Sequence, residues 1–326
     1  MGRVTREVPV EEYLEFVSKN RRIVIEDQEI SLEPIEVRRL EPLPEELTDV
    51  STTVWSFPKR GSWATHRGDY RGNWAPQIPR ALILRYTDPG DTVLDPMVGS
   101  GTTCIEALLL GRNCIAVDIN YSAVMLTHHR LYYLVKALGD VRRDLESYSK
   151  RGECNGGSVG VWYRVYHGDA RNLDKVPDNS VDLVATHPPY FNIIEYGEGG
   201  VDGDLSRARS LEEYLTMLRQ VAREVYRVLK PGGVLGVLLG DTRIRRHYVP
   251  ITHYALVVLL EVGFVLKEEV IKVQHRMRTT REVWSRLRGR DFLLIYHEKL
   301  FVLEKPKRRD PRLRYSARPH FLELRL

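Results

Sequence analysis

Cysteine, glutamine and long apolar runs are all scarce in this chain. Of its 326 residues, three are cysteine: Cys104, Cys114 and Cys154. No two of them have metal-ligand spacing, and three cannot build a disulfide framework. The plain reading is reduced thiols in a cytoplasmic protein, with no metal. Only four glutamines stand beside 29% charged residues, a balance that suits a thermophilic source. The longest apolar stretch, Tyr254 to Leu266, contains Glu261 and is too short to span a bilayer. The first sixteen residues are studded with charge and hold no apolar segment, so they do not read as a secretory signal. Arg6 stands where a myristoylation signal needs Ser or Thr. No membrane partner is expected.

What is present is an ordinary globular composition, 43% hydrophobic, with a net charge of +5. Residues 1–50 read as an accessory region, broken by Glu33-Pro34, Glu41-Pro42 and Leu43-Pro44. From about residue 76, short apolar runs alternate with helical patterns. Strands are expected at Val93–Asp95, Cys114–Asp118, Val161–Tyr166, Val181–Thr186 and Val234–Leu239. Helices are expected at Thr103–Leu110, Ser122–Leu138 and Leu211–Leu229. The last carries Leu211, Tyr214, Leu215, Leu218, Val221 and Val225 on one stripe and is stopped by Lys230-Pro231-Gly232-Gly233. Ile251–Val262 continues the pattern, and Phe264–Val273 with Phe292–Leu303 suits an antiparallel hairpin. Such alternation predicts a Rossmann-like, doubly wound α/β sheet over residues 51–304, followed by a basic tail, 305–326.

The strongest local signal is Asp95-Pro96-Met97-Val98-Gly99-Ser100-Gly101-Thr102-Thr103, between a predicted strand and a predicted helix. Glycines there let backbone approach a ligand, and the helix start offers free N–H groups. Asp118 ends the next strand, where a ribose diol would be held. A P-loop would need Gly-Lys-Ser/Thr, which is absent; a dinucleotide fingerprint would need a small third residue, where Cys104 stands. S-adenosylmethionine, with a ribose and no pyrophosphate, fits best. A purely structural turn is the bland alternative.

This first motif resembles that of the amino-methyltransferases that modify N4 of cytosine or N6 of adenine. Their second hallmark, an (Asp/Ser/Asn)-Pro-Pro-aromatic element at the end of the fourth strand, has its counterpart in Thr186-His187-Pro188-Pro189-Tyr190-Phe191. The resemblance spans roughly residues 50–303 and implies a seven-stranded methyltransferase sheet that binds S-adenosylmethionine. It places Asp95, Met97, Gly99, Gly101, Thr102 and Thr103 around the cofactor, with Asp118, Ile119 and Asn120 after the second strand. Asp169 and Ala170 would contact the adenine. Asn73, Trp74 and Ile78 belong to the stretch before the core that closes over the methionine part. Trp55 and Trp63 suit either that role or the core, whereas His66, Arg67, Arg71 and Asn73 are hard to explain as core.

The resemblance also implies the chemistry. An exocyclic amine is a poor nucleophile because its lone pair is delocalised into the ring. The site must accept its N–H groups and hold the nitrogen in line with the methyl. The Pro-Pro turn (Pro188, Pro189) would aim a carbonyl at the amine, and Tyr190 would stack on a flipped base. His187 replaces the usual acceptor. Its imidazole would accept one hydrogen bond, or it packs as a structural histidine and leaves the carbonyl alone. The missing Asp disfavours adenine and points to N4 of cytosine. Phe191, Asn192 and Glu195 would line the base pocket.

No recognition insertion is visible, so nucleic acid would be bound by loops and charge. Arg243, Arg245 and Arg246 form one cluster. Seven basic residues against one acid lie between Val270 and Arg290, Arg276 and Arg278 among them, and eight against two lie from Lys305 on. This favours folded RNA, such as a small-subunit ribosomal RNA cytosine receiving one or two methyls, with DNA close behind. Two rivals remain: a protein glutamine methyltransferase, which would carry Asn at position 187, and a non-catalytic nucleic-acid-binding module.

Overall fold

A computed structural model describes residues 5–25, 27–149, 160–191, 201, 203–275, 291–307, 313 and 315–317, except for the side chains of 140–149. Asn192, Glu195, Arg276, Arg278 and Cys154 lie outside them.

Five parallel strands form the centre: β5 (Thr92–Asp95), β6 (Asn113–Asp118), β7 (Tyr163–His167), β8 (Val181–Thr186) and β9 (Leu229–Leu239). β6 is buried throughout its length, as a strand covered on both faces must be. The expected C-terminal hairpin is present as β12 (Val265–Val273) and β13 (His297–Glu304), and β13 runs antiparallel beside β9. Two short strands extend this seven-stranded frame at its edges. β1 (Arg6–Glu7) pairs with β7, and β4 (Val54–Ser56) pairs parallel with β12, so the described sheet has nine strands in the order β1-β7-β6-β5-β8-β9-β13-β12-β4. Segments so short carry too little periodicity to read from sequence. A separate ribbon, β2 (Arg22–Ile25) and β3 (Gln28–Ser31), lies with the N-terminal helix α1 (Val10–Lys19), whose Tyr13 is buried.

Helices cover both faces: α2 (Gln77–Tyr86), α3 (Thr102–Leu109), α4 (Tyr121–Ser149), α5 (Leu211–Val228) and α6 (Ile251–Val262). The Ser210 hydroxyl caps α5 by accepting from the Glu213 amide at 3.1 Å. Its stripe, Tyr214, Leu215, Leu218, Val221 and Val225, is buried in one of the main hydrophobic clusters. Lys230-Pro231-Gly232-Gly233 is not the loop expected after α5. It belongs to β9, whose register against β8 slips between Val181 and Leu183. A Cβ on Gly233 would stand 2.9 Å from the Lys230 carbonyl oxygen, so glycine is what lets the chain bulge and stay paired.

The cysteines correct the reading of reduced thiols. Cys104 in the first turn of α3 and Cys114 in β6 form a disulfide, with Cα atoms 5.4 Å apart. The chain turns back directly from α3 into β6, and both cysteines are fully buried on the facing surfaces. Ten residues of separation carry no motif that announces this pairing.

Candidate active site

Strand order reverses between β5 and β8, and a crevice opens beyond the carboxyl ends of both. The residues after β5, β6, β7 and β8 converge on a cavity of about 210 Å³.

Asp95 ends β5 and ties two walls together. Its Oδ2 accepts from the Thr103 hydroxyl of α3 at 2.6 Å, and its Oδ1 accepts from the Thr186 hydroxyl of β8 at 2.8 Å. Burial pushes its carboxyl up to about 6, against these hydrogen bonds. Asp118 ends β6. It accepts from the Gly99 amide and from the Asn120 amide, both at 2.8 Å. Burial pushes it up to about 7; those backbone donors oppose the shift, and the charges of Asp204 and Asp95 add to it.

Gly99 sits at φ +53°, and a Cβ there would stand 2.9 Å from the Tyr70 ring. The loop it belongs to is fixed from α4. Thr127 Oγ1 donates to the Gly99 carbonyl at 3.0 Å, and the buried Arg130 guanidinium donates to the Ser100 carbonyl and pairs with Asp69. Opposite, Thr102 donates to Asn73 Oδ1 at 2.5 Å, which holds the preceding loop over the start of α3.

Met97, Thr102, Ile119, Asn120, Asp169, Ala170, Asn73 and Trp74 line the cavity with Asp95, Gly99 and Asp118. Gly101, Thr103 and Ile78 do not. Gly101 caps α3 at φ +84° against Thr127, Thr103 is spent on Asp95, and Ile78 is fully buried in the core. Asp169 is clamped by Arg171, whose Nη2 donates to Oδ2 at 2.6 Å. Trp55 and Trp63 belong to the core, and so, against expectation, does His66. The buried Glu106 carboxylate of α3 explains it by accepting from His66 Nε2 and Trp63 Nε1, each at 2.7 Å, and from Arg80 at 3.0 Å. Such a hub needs partners from three places in the sequence, which no local pattern reveals.

The Pro-Pro-Tyr turn forms the other half. The Pro189 carbonyl accepts from the buried Tyr214 hydroxyl at 3.1 Å, whereas no described donor reaches that of Pro188. The His187 ring stacks on Trp74 with centroids 5.9 Å apart, and its Nε2 lies 2.5 Å from the Tyr190 hydroxyl. Its Nδ1 is buried and makes no hydrogen bond of good geometry, although the Gly72 backbone lies beside the ring. Burial pushes the imidazole down, with the Glu298 charge opposing. With Nε2 engaged by the Tyr190 hydroxyl and Nδ1 buried, the ring suits the packed-histidine alternative, in which the Pro188 carbonyl works alone. Phe191 is corrected. It is 7% exposed and packs on Tyr214 in the core. Sequence reasoning missed Tyr70, Asp204 and Glu298, all of which line the cavity.

The arginines lie on a hairpin after β9, formed by β10 (Thr242–Ile244) and β11 (His247–Val249). Arg243 donates to the Leu293 carbonyl and lies over the Tyr248 and Phe292 rings. Arg245 and Arg246 form the two-residue turn, at φ +48° and +71°.

The sequence pattern of a family described as DNA methylase matches residues 4–128 and 181–320. The chain belongs to this S-adenosylmethionine-dependent DNA methylase family. A second pattern, described as RMKL-like, methyltransferase domain, matches residues 71–242. The DNA adenine methyltransferase YhdJ of Escherichia coli (strain K12) is 34% identical over 117 residues, 33% of this chain and 38% of that one. The type II methyltransferase M.MjaII of Methanocaldococcus jannaschii is 31% identical over 86 residues, 25% and 16% of the two chains. The tRNA (guanine(10)-N2)-dimethyltransferase of Methanothermobacter thermautotrophicus is 30% identical over 122 residues, 37% and 29%. The chain therefore matches well under half the length of these curated relatives. Among solved structures, TrmN from Thermus thermophilus aligns with 72% of this chain and 50% of its own, at 23% identity and a TM-score of 0.41.

The residues fit the family's cofactor. Two buried carboxylates, Asp95 and Asp118, face the cavity with raised pKa values, so a cationic ligand with hydroxyl donors is favoured there. Among the described residues there is no group of three His, Cys, Asp or Glu that could hold a metal, and no helix long and apolar enough to cross a membrane.

Proposed function

We propose that the protein methylates an exocyclic amino group of a nucleic-acid base, N4 of cytosine in structured RNA. One observation carries this. The Asp95 carboxylate, held by Thr103 and Thr186, puts the glycine loop and the Pro-Pro-Tyr turn in the wall of a single cavity although they lie about ninety residues apart.

S-adenosylmethionine, when bound, supplies an electrophilic methyl group; the amine would form the new N–C bond as the S–C bond breaks and would give up one proton to water. Asp118 and Asp169 would hold the nucleoside part. The Pro188 carbonyl is the free acceptor for the amine, drawing its lone pair out of conjugation. Tyr190 offers a ring face to the base. Positioning of this kind accounts for most of the acceleration such a site can give. The absence of a carboxylate at position 187 supports cytosine over adenine. A segment of only about twenty residues between Tyr190 and α5, with arginines clustered on an adjacent hairpin, supports a target read by shape and charge.

The experiment supplies labelled S-adenosylmethionine with duplex DNA, ribosomal RNA and unmodified ribosomal subunits, then digests each to nucleosides for mass analysis. N4-methylcytidine or its dimethyl form in RNA is expected. N4-methyldeoxycytidine or N6-methyldeoxyadenosine in DNA alone would make it a DNA enzyme. N2-methylguanosine would overturn the choice of base.

A further inference from the structure

We propose that Glu298 is a positioning residue of this site, fixing the Tyr190 ring and, through its hydroxyl, the tautomer of His187. The proposal rests on the functional reading above but has a readout of its own.

Glu298 lies on β13, outside both sequence motifs, and is 7% exposed in the cavity wall. Its Oε1 accepts from the Tyr190 hydroxyl at 2.9 Å. Its Oε2 accepts from Lys272 at 2.7 Å, and the two residues are register partners across β12 and β13. Burial opposes ionisation, but the Lys272 ammonium, with the hydrogen bonds from Lys272 and Tyr190, holds the carboxyl below its ordinary range. The group is therefore an anion, and an ionised carboxylate only accepts. The Tyr190 proton must point toward it. The phenol oxygen can then only accept, so His187 Nε2, 2.5 Å away, must carry the ring proton. Nδ1 makes no hydrogen bond of good geometry, even to the Gly72 backbone beside the ring, and is left as the lone-pair nitrogen. The aromatic ring is held at both ends of this chain and backed by Gly240, where a Cβ would stand 2.8 Å from it. A stacking face fixed in this way does not have to be ordered again when a base arrives.

The test uses the full chain labelled with ¹⁵N-histidine, with a His187→Gln variant to assign the His187 signals. The wild type should show the Nε2-protonated tautomer. Glu298→Gln presents an amide that can donate to the phenol oxygen, so the phenol proton turns toward His187. The ring should shift to the Nδ1-protonated form, while kcat falls at least tenfold and cofactor Kd changes less than twofold. Glu298→Gln with Lys272→Met removes the stranded ammonium, and should recover Tm without recovering kcat. In a Tyr190→Phe background, Glu298→Gln should cost nothing further. An unchanged tautomer in Glu298→Gln, full kcat in the double variant, or an undiminished cost in the Phe background would each overturn the proposal. A tautomer shift in a protein that methylates no nucleic acid would uphold the positioning and refute the functional reading alone.

Discussion

At the scale of single residues, the titration of Asp118 is the most exposed consequence of the site. Its carboxyl is raised to about 7 by burial, so the folded protein holds a proton there that the unfolded chain gives up near pH 4. Stability from this group is present at low pH and is lost as pH rises through about 7. A cofactor whose ribose hydroxyls donate to Asp118, and whose sulfonium is positive, binds the ionised form better. Cofactor affinity should therefore rise with pH up to about 7 and level off above it. Asp118→Asn should weaken binding about tenfold or more at pH 8 and remove the part of the rise centred near 7, leaving that of Asp95 near 6, measured by calorimetry across pH. An unchanged rise near pH 7 in the variant would remove Asp118 from the cofactor's ribose. Asp95, Gly99 and Asp118 were legible because glycine, proline and carboxylates at strand ends are local signals. Glu298 was not, because it sits 108 residues from Tyr190 in a strand that alternates like any other. Phe191 misled for a simple reason: one residue past the turn, the chain has already re-entered the core.

At the scale of elements, the β10–β11 hairpin pairs an unfavourable turn with a useful display. Both turn residues adopt positive φ, a conformation that suits Asn and Gly and costs other residues about 1 kcal/mol or more. Here both are arginine. The turn is anchored from below by the buried Asp241, which accepts from the Thr252 amide at 2.8 Å and from the Tyr248 hydroxyl. Arg245→Asn with Arg246→Gly should raise Tm by a few degrees. The same change should weaken nucleic-acid binding and lower the slope of log affinity against log salt by about 1 to 2. A more stable protein with unchanged nucleic-acid affinity would mean these arginines do not touch nucleic acid. The cluster itself was plain in the sequence. The strain was not, because Ile-Arg-Arg-His carries no turn residue. The same limit hid β1 and β4, which exist only through their partners.

At the scale of the whole molecule, the doubly wound class of the sheet followed from the alternation of strand and helix patterns, whereas the strand order and the long-range fastenings did not. The Cys104–Cys114 disulfide closes a short loop between α3 and β6, a constraint that contributes about 2–3 kcal/mol by loop entropy. Thiol titration of the unreduced protein in denaturant should find one reactive group, and three after reduction; three without reductant would show the pair unbonded. A different fastening has consequences for synthesis. The Thr53 carbonyl accepts from the Ile271 amide at 2.8 Å, and Ser56 is hydrogen-bonded to His275. β4 leads into the loop that carries Tyr70, Asn73 and Trp74, yet its only described sheet partner, β12, lies more than two hundred residues later. On a translating ribosome, a wall of the pocket made early thus waits for its sheet partner. Before β12 and β13 have emerged, a nascent chain can assemble β5 to β9 and tie the loop to α3 and α4 through Asn73 and Asp69, but it cannot seat β4 on the sheet or supply Glu298, and ligand in the cell has no finished pocket with which to rescue a chain stalled before that point.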